Sequence, residues 1–263
     1  MNKIITIWGN PEFGCELAYR IAKETGKNIL LLDVDLLSPK ADLYLNIKKE
    51  SDDLLERKTG LDILIEWSNR KYLNGELIRK AAIQREELKN LYIITGNYDL
   101  DNFEYYTIEN LGDIIEKANQ NFEITILLAN KHIYDAYTIT SLLRSDINIA
   151  AIEPNTVELR EYNNYLMFLE DKQGMRLDKT KFVGYEYIAG IHETNAELKE
   201  ITEDTYIGKV RYSKARVLSR SKNKCYAKTM EKAVKRDYIK IIEQLELTPK
   251  LKTKENFKFK KID

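Results

Sequence analysis

The first 33 residues alternate between strand-like and helix-like patterns, and this alternation constrains the fold more than any other feature. Residues 4–8 are a short apolar run that breaks at Gly9-Asn10-Pro11, as a buried parallel strand does before a tight loop. Apolar residues then recur at helical spacing from Leu17 up to Gly26, and residues 28–33 form a second apolar run. A strand–helix–strand unit of about 30 residues requires a parallel sheet with a right-handed crossover.

The same alternation continues along the chain and predicts an α/β fold, a doubly wound and mostly parallel sheet with helices on both faces. The predicted helices cover 61–84, 107–119, 135–143, 157–169 and 226–245, and the predicted strands cover 91–95, 123–129, 147–152, 181–188 and 206–210. No repeat or Pro/Gly/Ser-rich linker divides the chain, so we expect one domain over 1–247 and a basic tail over 248–263. Ligands of such folds bind beyond the carboxyl ends of the strands.

Composition excludes several classes of protein. The chain has 263 residues, 43% of them hydrophobic, which is enough for a sizeable core. No apolar run approaches the roughly 18 residues of a membrane span, and the N-terminus lacks the pattern of a secretory signal. Two cysteines and two histidines make neither a disulfide framework nor a zinc set, so we expect no metal site. We expect a cytoplasmic protein, either free or peripheral to a membrane.

Charge is distributed unevenly although the formal net charge is zero. Residues 209–263 carry 18 Lys and Arg against 6 Asp and Glu, and the remainder of the chain is correspondingly acidic. A basic end favours DNA, anionic lipid or an acidic protein as partner, and the sequence does not choose among them. In the last predicted helix, Ala227, Met230, Val234, Ile241 and Leu245 form an inward face, and the candidate anion-binding stripe consists of Lys224, Lys228, Lys232 and Lys235.

Two segments lie where a nucleotide would bind. Residues 9–16, Gly-Asn-Pro-Glu-Phe-Gly-Cys-Glu, keep the GxxxxG spacing of a phosphate-binding loop without its GK[ST] ending. Two aspartates follow the second predicted strand and either belong to that site or cap the following turn. The candidate nucleotide-site residues are Gly9, Asn10, Phe13, Gly14, Cys15, Glu16, Asp33 and Asp35.

Residues 30–45, LLLDVDLLSPKADLYL, resemble the second-strand segment of the MinD/ParA family of P-loop ATPases, which reads approximately LLLDxDLxxPNLDxLL. Residues 207–212, Ile-Gly-Lys-Val-Arg-Tyr, are similar to a later strand of that family, with Arg211 in place of its proline. The resemblance covers about residues 3–245 and implies the P-loop NTPase fold, a homodimer, and DNA or membrane contact at the C-terminal end. Among its branches the chain looks most like the TadZ/CpaE proteins, which act in positioning secretion or pilus machinery.

The sequence departs from that family at the positions that the resemblance assigns to nucleotide and Mg²⁺ binding. Asn10 and Cys15 stand where the resemblance implies two phosphate-binding lysines, and Glu16 stands where it implies the hydroxyl that binds Mg²⁺. Ala129 replaces an aspartate at the end of a strand, and residues 182–187 lack the expected adenine-binding asparagine. One lysine–phosphate contact is worth up to about 4 kcal/mol at an effective dielectric constant near 20, or roughly a thousandfold in affinity. Efficient ATP hydrolysis is therefore not expected.

The sequence leads to two hypotheses of function. The first is a positioning or adaptor protein of secretion, pilus or conjugative machinery, which acts by dimerisation or partner docking and has no required cofactor. The second is an active ParA/MinD-type ATPase of plasmid or chromosome partitioning that binds ATP and Mg²⁺ weakly through an unorthodox loop. Cys15 is either a reactive thiol or an unreactive buried one. Glu16, Asp33 and Asp35 could together bind a metal, or the two aspartates could simply cap the following turn.

Overall fold

Eight strands form one sheet in the computed structural model, which describes residues 2–47, 60–97 and 105–247. The strands are β1 (Lys3–Trp8), β2 (Ile29–Asp33), β3 (Ile83–Arg85), β4 (Leu88–Ile94), β5 (Ile124–Ala129), β6 (Ile147–Ile152), β7 (Thr180–Tyr187) and β8 (Tyr206–Arg211). Their order across the sheet is β3-β4-β2-β5-β1-β6-β7-β8, and every neighbouring pair is parallel except β3 and β4. The predicted doubly wound, mostly parallel sheet is confirmed.

Helices cover both faces of this sheet. The helices of the described residues are α1 (Pro11–Thr25), α2 (Ala41–Tyr44), α3 (Leu61–Asn69), α4 (Gly75–Ala81), α5 (Ile108–Asn121), α6 (Ala136–Arg144), α7 (Thr156–Gln173), α8 (Asn195–Ile201), α9 (Lys214–Ser221), α10 (Tyr226–Thr229) and α11 (Lys232–Gln244). Alternate residues of β1 enter opposite cores, since Ile5 and Ile7 pack with α1 and α11 whereas Ile4 packs with α3 and α5. Both faces of the central strands are thus buried, which explains their continuous apolar runs.

Two predicted helices are wrong in extent. The segment 61–84 is not one helix, because α3 ends at Asn69 and the Asn74 side chain caps a new helix, α4, by accepting a hydrogen bond from Leu77 N. The end of that segment is β3, which pairs antiparallel with β4. The segment 226–245 breaks into α10 and α11 at Met230 and Glu231, both in extended conformation. The predicted inward face of this segment is nevertheless buried.

No helix among residues 2–47, 60–97 and 105–247 is both long and apolar enough to cross a membrane. The predicted basic tail, 248–263, lies outside the described residues, and the domain boundary at 247 stays a prediction.

Gly14 lies inside α1 and faces the sheet. A methyl group at this position would overlap Leu128 Cδ2 and lie 3.0 Å from Ile7 Cγ1. The glycine therefore lets α1 approach β1 and β5 closely, which is a packing requirement.

We expect Gly14→Ala to lower the free energy of unfolding by about 1–3 kcal/mol, because the added methyl overpacks the core. Gly112→Ala in α5 is the matched control. There the methyl meets only the flexible end of Arg144, with Nη2 at 2.9 Å, and alanine adds up to about 1 kcal/mol of helix propensity. Urea denaturation of both variants measures the difference, and equal stabilities would contradict this role of Gly14.

Candidate functional site

The start of α1 bounds the crevice at the carboxyl ends of the strands. The first residue of this helix differs from the sequence-based expectation. The sequence pattern predicts a helix after Gly14, but α1 begins at Pro11. Asn10 caps it, since its Oδ1 accepts from Phe13 N at 3.0 Å and its Nδ2 donates to Ala151 O at 3.2 Å. Proline suits the first helical position because it has no N–H to satisfy and its φ is already helical.

This helix start leaves no open loop between β1 and α1. Gly9, with φ +82°, and Asn10 are the only residues between the two elements. Gly14 N donates to Asn10 O at 3.2 Å, and Phe13 N is taken by the Asn10 side chain. Phe13 itself is buried between the rings of Tyr185 and Tyr238. These amides, which a phosphate-binding loop would turn toward an anion, are therefore used inside the helix.

Glu16, one turn into α1, lies in a buried ion pair. Its carboxylate accepts from Arg216 Nε at 2.9 Å and Nη2 at 3.1 Å, and from the Tyr238 hydroxyl at 2.7 Å. Burial raises the pKa of the Glu16 carboxyl to about 7, and the Arg216 guanidinium opposes the shift. Arg216 is 0% exposed and lies over the rings of Tyr185 and Tyr226. The pair links α1 to α9 across 200 residues of sequence.

A second arginine of α9 binds the other carboxylate of this segment. Arg220 Nε donates to Glu12 Oε1 at 3.2 Å, its Nη2 also contacts Glu12 Oε2, and the same Nη2 lies 3.1 Å from Glu186 Oε1. Glu186 has φ +56° at an irregularity of β7. Both arginines of α9 thus bind glutamates of α1, while Val217 and Leu218 of the same helix are exposed. Ion pairs therefore contribute strongly to the position of α9.

The Cys15 thiol is buried beside these pairs. Burial raises its pKa well above the ordinary value, and the Asp33 carboxylate acts in the same direction. Because the thiolate is the nucleophilic form, a thiol held protonated is unreactive. The alternative of a buried thiol is the one that the structure favours.

The two aspartates after β2 hold the following loop. Asp33 Oδ2 accepts from the backbone N–H groups of Lys40 and Ala41, each at 2.8 Å. Asp35 Oδ1 accepts from Leu37 N at 3.0 Å, Ser38 N at 2.9 Å and Asn130 Nδ2 at 2.8 Å. Burial raises the pKa of Asp33 to about 7, against these backbone donors. Turn capping is thus the interpretation that the contacts support, and Asn130, next to Ala129, is a partner that sequence reasoning missed.

Beyond these residues lies a crevice of about 560 Å³ whose cations are mostly paired. Lys131 Nζ lies 3.0 Å from Glu158 Oε1 and 2.7 Å from Glu161 Oε2, and Arg220 is held by its two glutamates. Sequence reasoning also missed Lys131, although its place directly after a strand end was a usable indication. Lys40 lines the same crevice and forms no ion pair with any described residue.

This donor set does not fit ATP and Mg²⁺. The amides of Phe13 and Gly14 are used, no lysine lies at position 10 or 15, and Glu12 and Glu16 at the start of α1 already bind Arg220 and Arg216. Among the described residues, no three His, Cys, Asp or Glu side chains are grouped to hold a metal ion. The hypothetical oxygen cluster does not form, since Glu16 binds Arg216 whereas Asp33 and Asp35 bind backbone amides.

The four lysines predicted as one stripe lie on three segments. Lys224 precedes α10, Lys228 is in α10, and Lys232 and Lys235 are in α11, so the break at Met230 interrupts the expected helical spacing. Three of them are exposed and Lys235 is half-buried. Lys228 Nζ lies 3.7 Å from Glu87 Oε1. Anion binding by this surface stays a prediction.

Solved structures match this chain by fold, whereas no protein-family model and no curated protein sequence matches it. A ParA family ATPase from Chlorobium tepidum TLS has a TM-score of 0.76 at 15% identity, covering 93% of this chain and 99% of that one. MinD complexed with Mg-ADP from Pyrococcus horikoshii OT3 has 0.72 at 16%, covering 94% and 96%. The MinC:MinD complex of Aquifex aeolicus has 0.71 at 16%, covering 93% and 95%. The fold is that of MinD/ParA P-loop NTPases.

We expect Glu16→Gln to lower the free energy of unfolding by about 3–5 kcal/mol at pH 8, because it leaves the buried Arg216 charge unpaired. The double variant Glu16→Gln/Arg216→Met should lose less than the sum of the two single variants. Glu66→Gln, in the exposed pair with Arg70, is the control and should cost about 0.5 kcal/mol or less. Urea denaturation gives all four values, and additive losses at Glu16 and Arg216 would contradict the pairing.

The raised pKa of Asp33 predicts a pH dependence. Between its ordinary pKa of 3.8 and about 7, the unfolded chain ionises this carboxyl while the folded protein keeps the proton. Stability should therefore fall as pH rises through that window, by up to about 1.4 kcal/mol per unit. Glu16 titrates in the same sense, so the measurement is the difference between wild type and Asp33→Asn at pH 5 and pH 7.5. We expect the wild-type advantage to shrink with pH; a constant advantage would exclude this titration.

Proposed function

We propose that this chain is a MinD/ParA-like positioning or adaptor protein that uses the fold without nucleotide hydrolysis. The observation that carries the proposal is the start of α1 at Pro11, with Glu12 and Glu16 bound by Arg220 and Arg216. This ion-pair network at the start of α1 supports a function without bound nucleotide. MinD from Pyrococcus horikoshii OT3 is complexed with Mg-ADP, and this ligand is a property of that protein.

Electrostatics supports this proposal more than the missing lysines alone do. A triphosphate at the start of α1 would find Glu12 and Glu16 bound to Arg220 and Arg216, so neither arginine is free to bind it. Releasing Arg216 or Arg220 to bind phosphate would leave a buried glutamate unpaired, at a cost of several kcal/mol. Nucleotide binding would therefore have to disrupt the interior that joins α1, α9 and α11.

The proposed action is dimerisation or partner docking at the crevice edge of the sheet. One solved structure of this fold is a complex of MinD with MinC, which supports protein partners as a class for this architecture. We propose secretion, pilus or conjugative machinery as the setting, on the resemblance to the TadZ/CpaE branch, and a basic C-terminal end that includes Lys228 and Lys232 as a second contact surface. A peripheral place at a membrane belongs to the same proposal.

We expect Mg-ATP at 5 mM to leave the melting temperature of the protein unchanged within about 1 °C, because the amides of Phe13 and Gly14 are bonded and most described cations of the crevice are paired. A nucleotide with a Kd of about 50 μM would stabilise the protein by about 2.7 kcal/mol and raise the melting temperature by roughly 5–10 °C. Analytical ultracentrifugation should likewise give the same oligomeric state with and without Mg-ATP.

A rise of about 5 °C or more would contradict the adaptor hypothesis and favour the ATPase hypothesis. The Lys40→Ala variant is the control in that case, because Lys40 lines the crevice and pairs with no carboxylate that the structure describes. Loss of the rise in this variant would place the phosphates in the crevice.

A further inference from the structure

A cavity of about 180 Å³ lies between α2 and the segment that joins α9 to α10. Its floor is the first turn of α1, and its walls include Leu43 and Tyr44 on one side and Asn223, Lys224 and Tyr226 on the other. We call the cavity together with these walls the α2–α9 groove. The groove is separate from most of the larger crevice, with which it shares Glu12, Lys40, Tyr44 and Arg220.

Part of the groove wall is apolar and exposed. Leu43, which lines the cavity, is 52% exposed. A cavity of about 150 Å³ with apolar walls accepts a benzene molecule, so this one has room for a single aliphatic or aromatic side chain. The exposed Leu43 beside this recess offers a partner side chain apolar contact both inside and outside the cavity.

The net charge that the groove offers is positive. Its two acidic lining residues, Glu12 and Glu16, bind Arg220 and Arg216, and Arg220 also binds Glu186. Lys40 and Lys224 also line it, and neither forms an ion pair with a residue that the structure describes. An acidic partner therefore gains attraction from two lysines without breaking an existing pair.

We propose that the α2–α9 groove docks an acidic amphipathic segment of another protein, with one aliphatic or aromatic side chain in the cavity and carboxylates near Lys40 and Lys224. This inference deepens the proposed adaptor function and rests on it, since it names the chemistry of the docked partner.

Other occupants fit the groove less well. The only apolar group on the base edges of duplex DNA is the thymine methyl, which is too small to fill the recess, and a flat membrane surface favours a projecting apolar element over a recessed one. A second copy of this chain, packed groove to groove about a two-fold axis, would bring two positively charged patches together. An acidic protein segment satisfies both the cavity and the charges.

The test is selection of a phage-displayed random 12-residue peptide library on the wild-type protein, followed by fluorescence anisotropy of the enriched peptides. We expect enriched peptides that are acidic and contain a Leu, Ile, Phe or Trp. Leu43→Glu should weaken their binding by about tenfold or more, and Lys224→Glu should weaken it by about fivefold with reduced sensitivity to salt. Ile201→Glu is the matched control, because Ile201 is exposed on α8, away from the groove lining.

The proposal is overturned if no peptide is enriched, if the enriched peptides are basic, or if Leu43→Glu and Ile201→Glu have equal effects. It is also overturned if a 30-base-pair duplex or phosphatidylglycerol vesicles bind and the Leu43→Glu variant alone loses that binding. Circular dichroism confirms that each variant is folded before it is compared. These outcomes do not affect the melting-temperature measurement with Mg-ATP. Failure of the docking proposal and failure of the proposed function are therefore distinguishable.

Discussion

The ion pair between Glu16 and Arg216 determines how the two ends of this chain meet. Arg216 is fully buried, donates two hydrogen bonds to the Glu16 carboxylate, and lies over two tyrosine rings. A buried guanidinium without a carboxylate partner would cost several kcal/mol, so α9 must lie where its arginine reaches α1. Tyr238 of α11 donates to the same carboxylate, so the pair joins three helices.

The start of α1 follows from this arrangement and from local chemistry together. Asn10 and Pro11 favour a helix that begins at once, and Gly14 then faces the sheet, where only a hydrogen atom fits. Glu12 and Glu16 recur one turn apart on the helix face toward α9, where Arg220 and Arg216 recur at the same spacing. The two helices therefore match charge for charge, and these four charges at the edge of the sheet are bound within the protein.

Much of the fold was predictable because it depends on local patterns. The apolar runs of β1, β2, β5 and β6 and the periodicity of α5 and α6 locate these elements to within one or two residues. Two interruptions were missed. In the segment 61–84, Asn74 caps a new helix through a local contact with Leu77 N, which the polar stretch before it could have indicated. In the segment 226–245 apolar periodicity continues across the break, where Glu231 accepts from Ser213, so only this contact between separate elements overrides helical propensity.

By itself, the sequence determined the doubly wound parallel sheet, the absence of the usual phosphate-binding residues and the basic character of the C-terminal end, because each depends on composition or on spacing within a short segment. Only the tertiary structure decided which partners Glu12 and Glu16 bind. Glu16 and Arg216 are 200 residues apart, and no local pattern relates them. Lys40 and Lys224 line the recess and pair with no described carboxylate, because other side chains have already bound the nearby glutamates. This is a property of the folded chain alone.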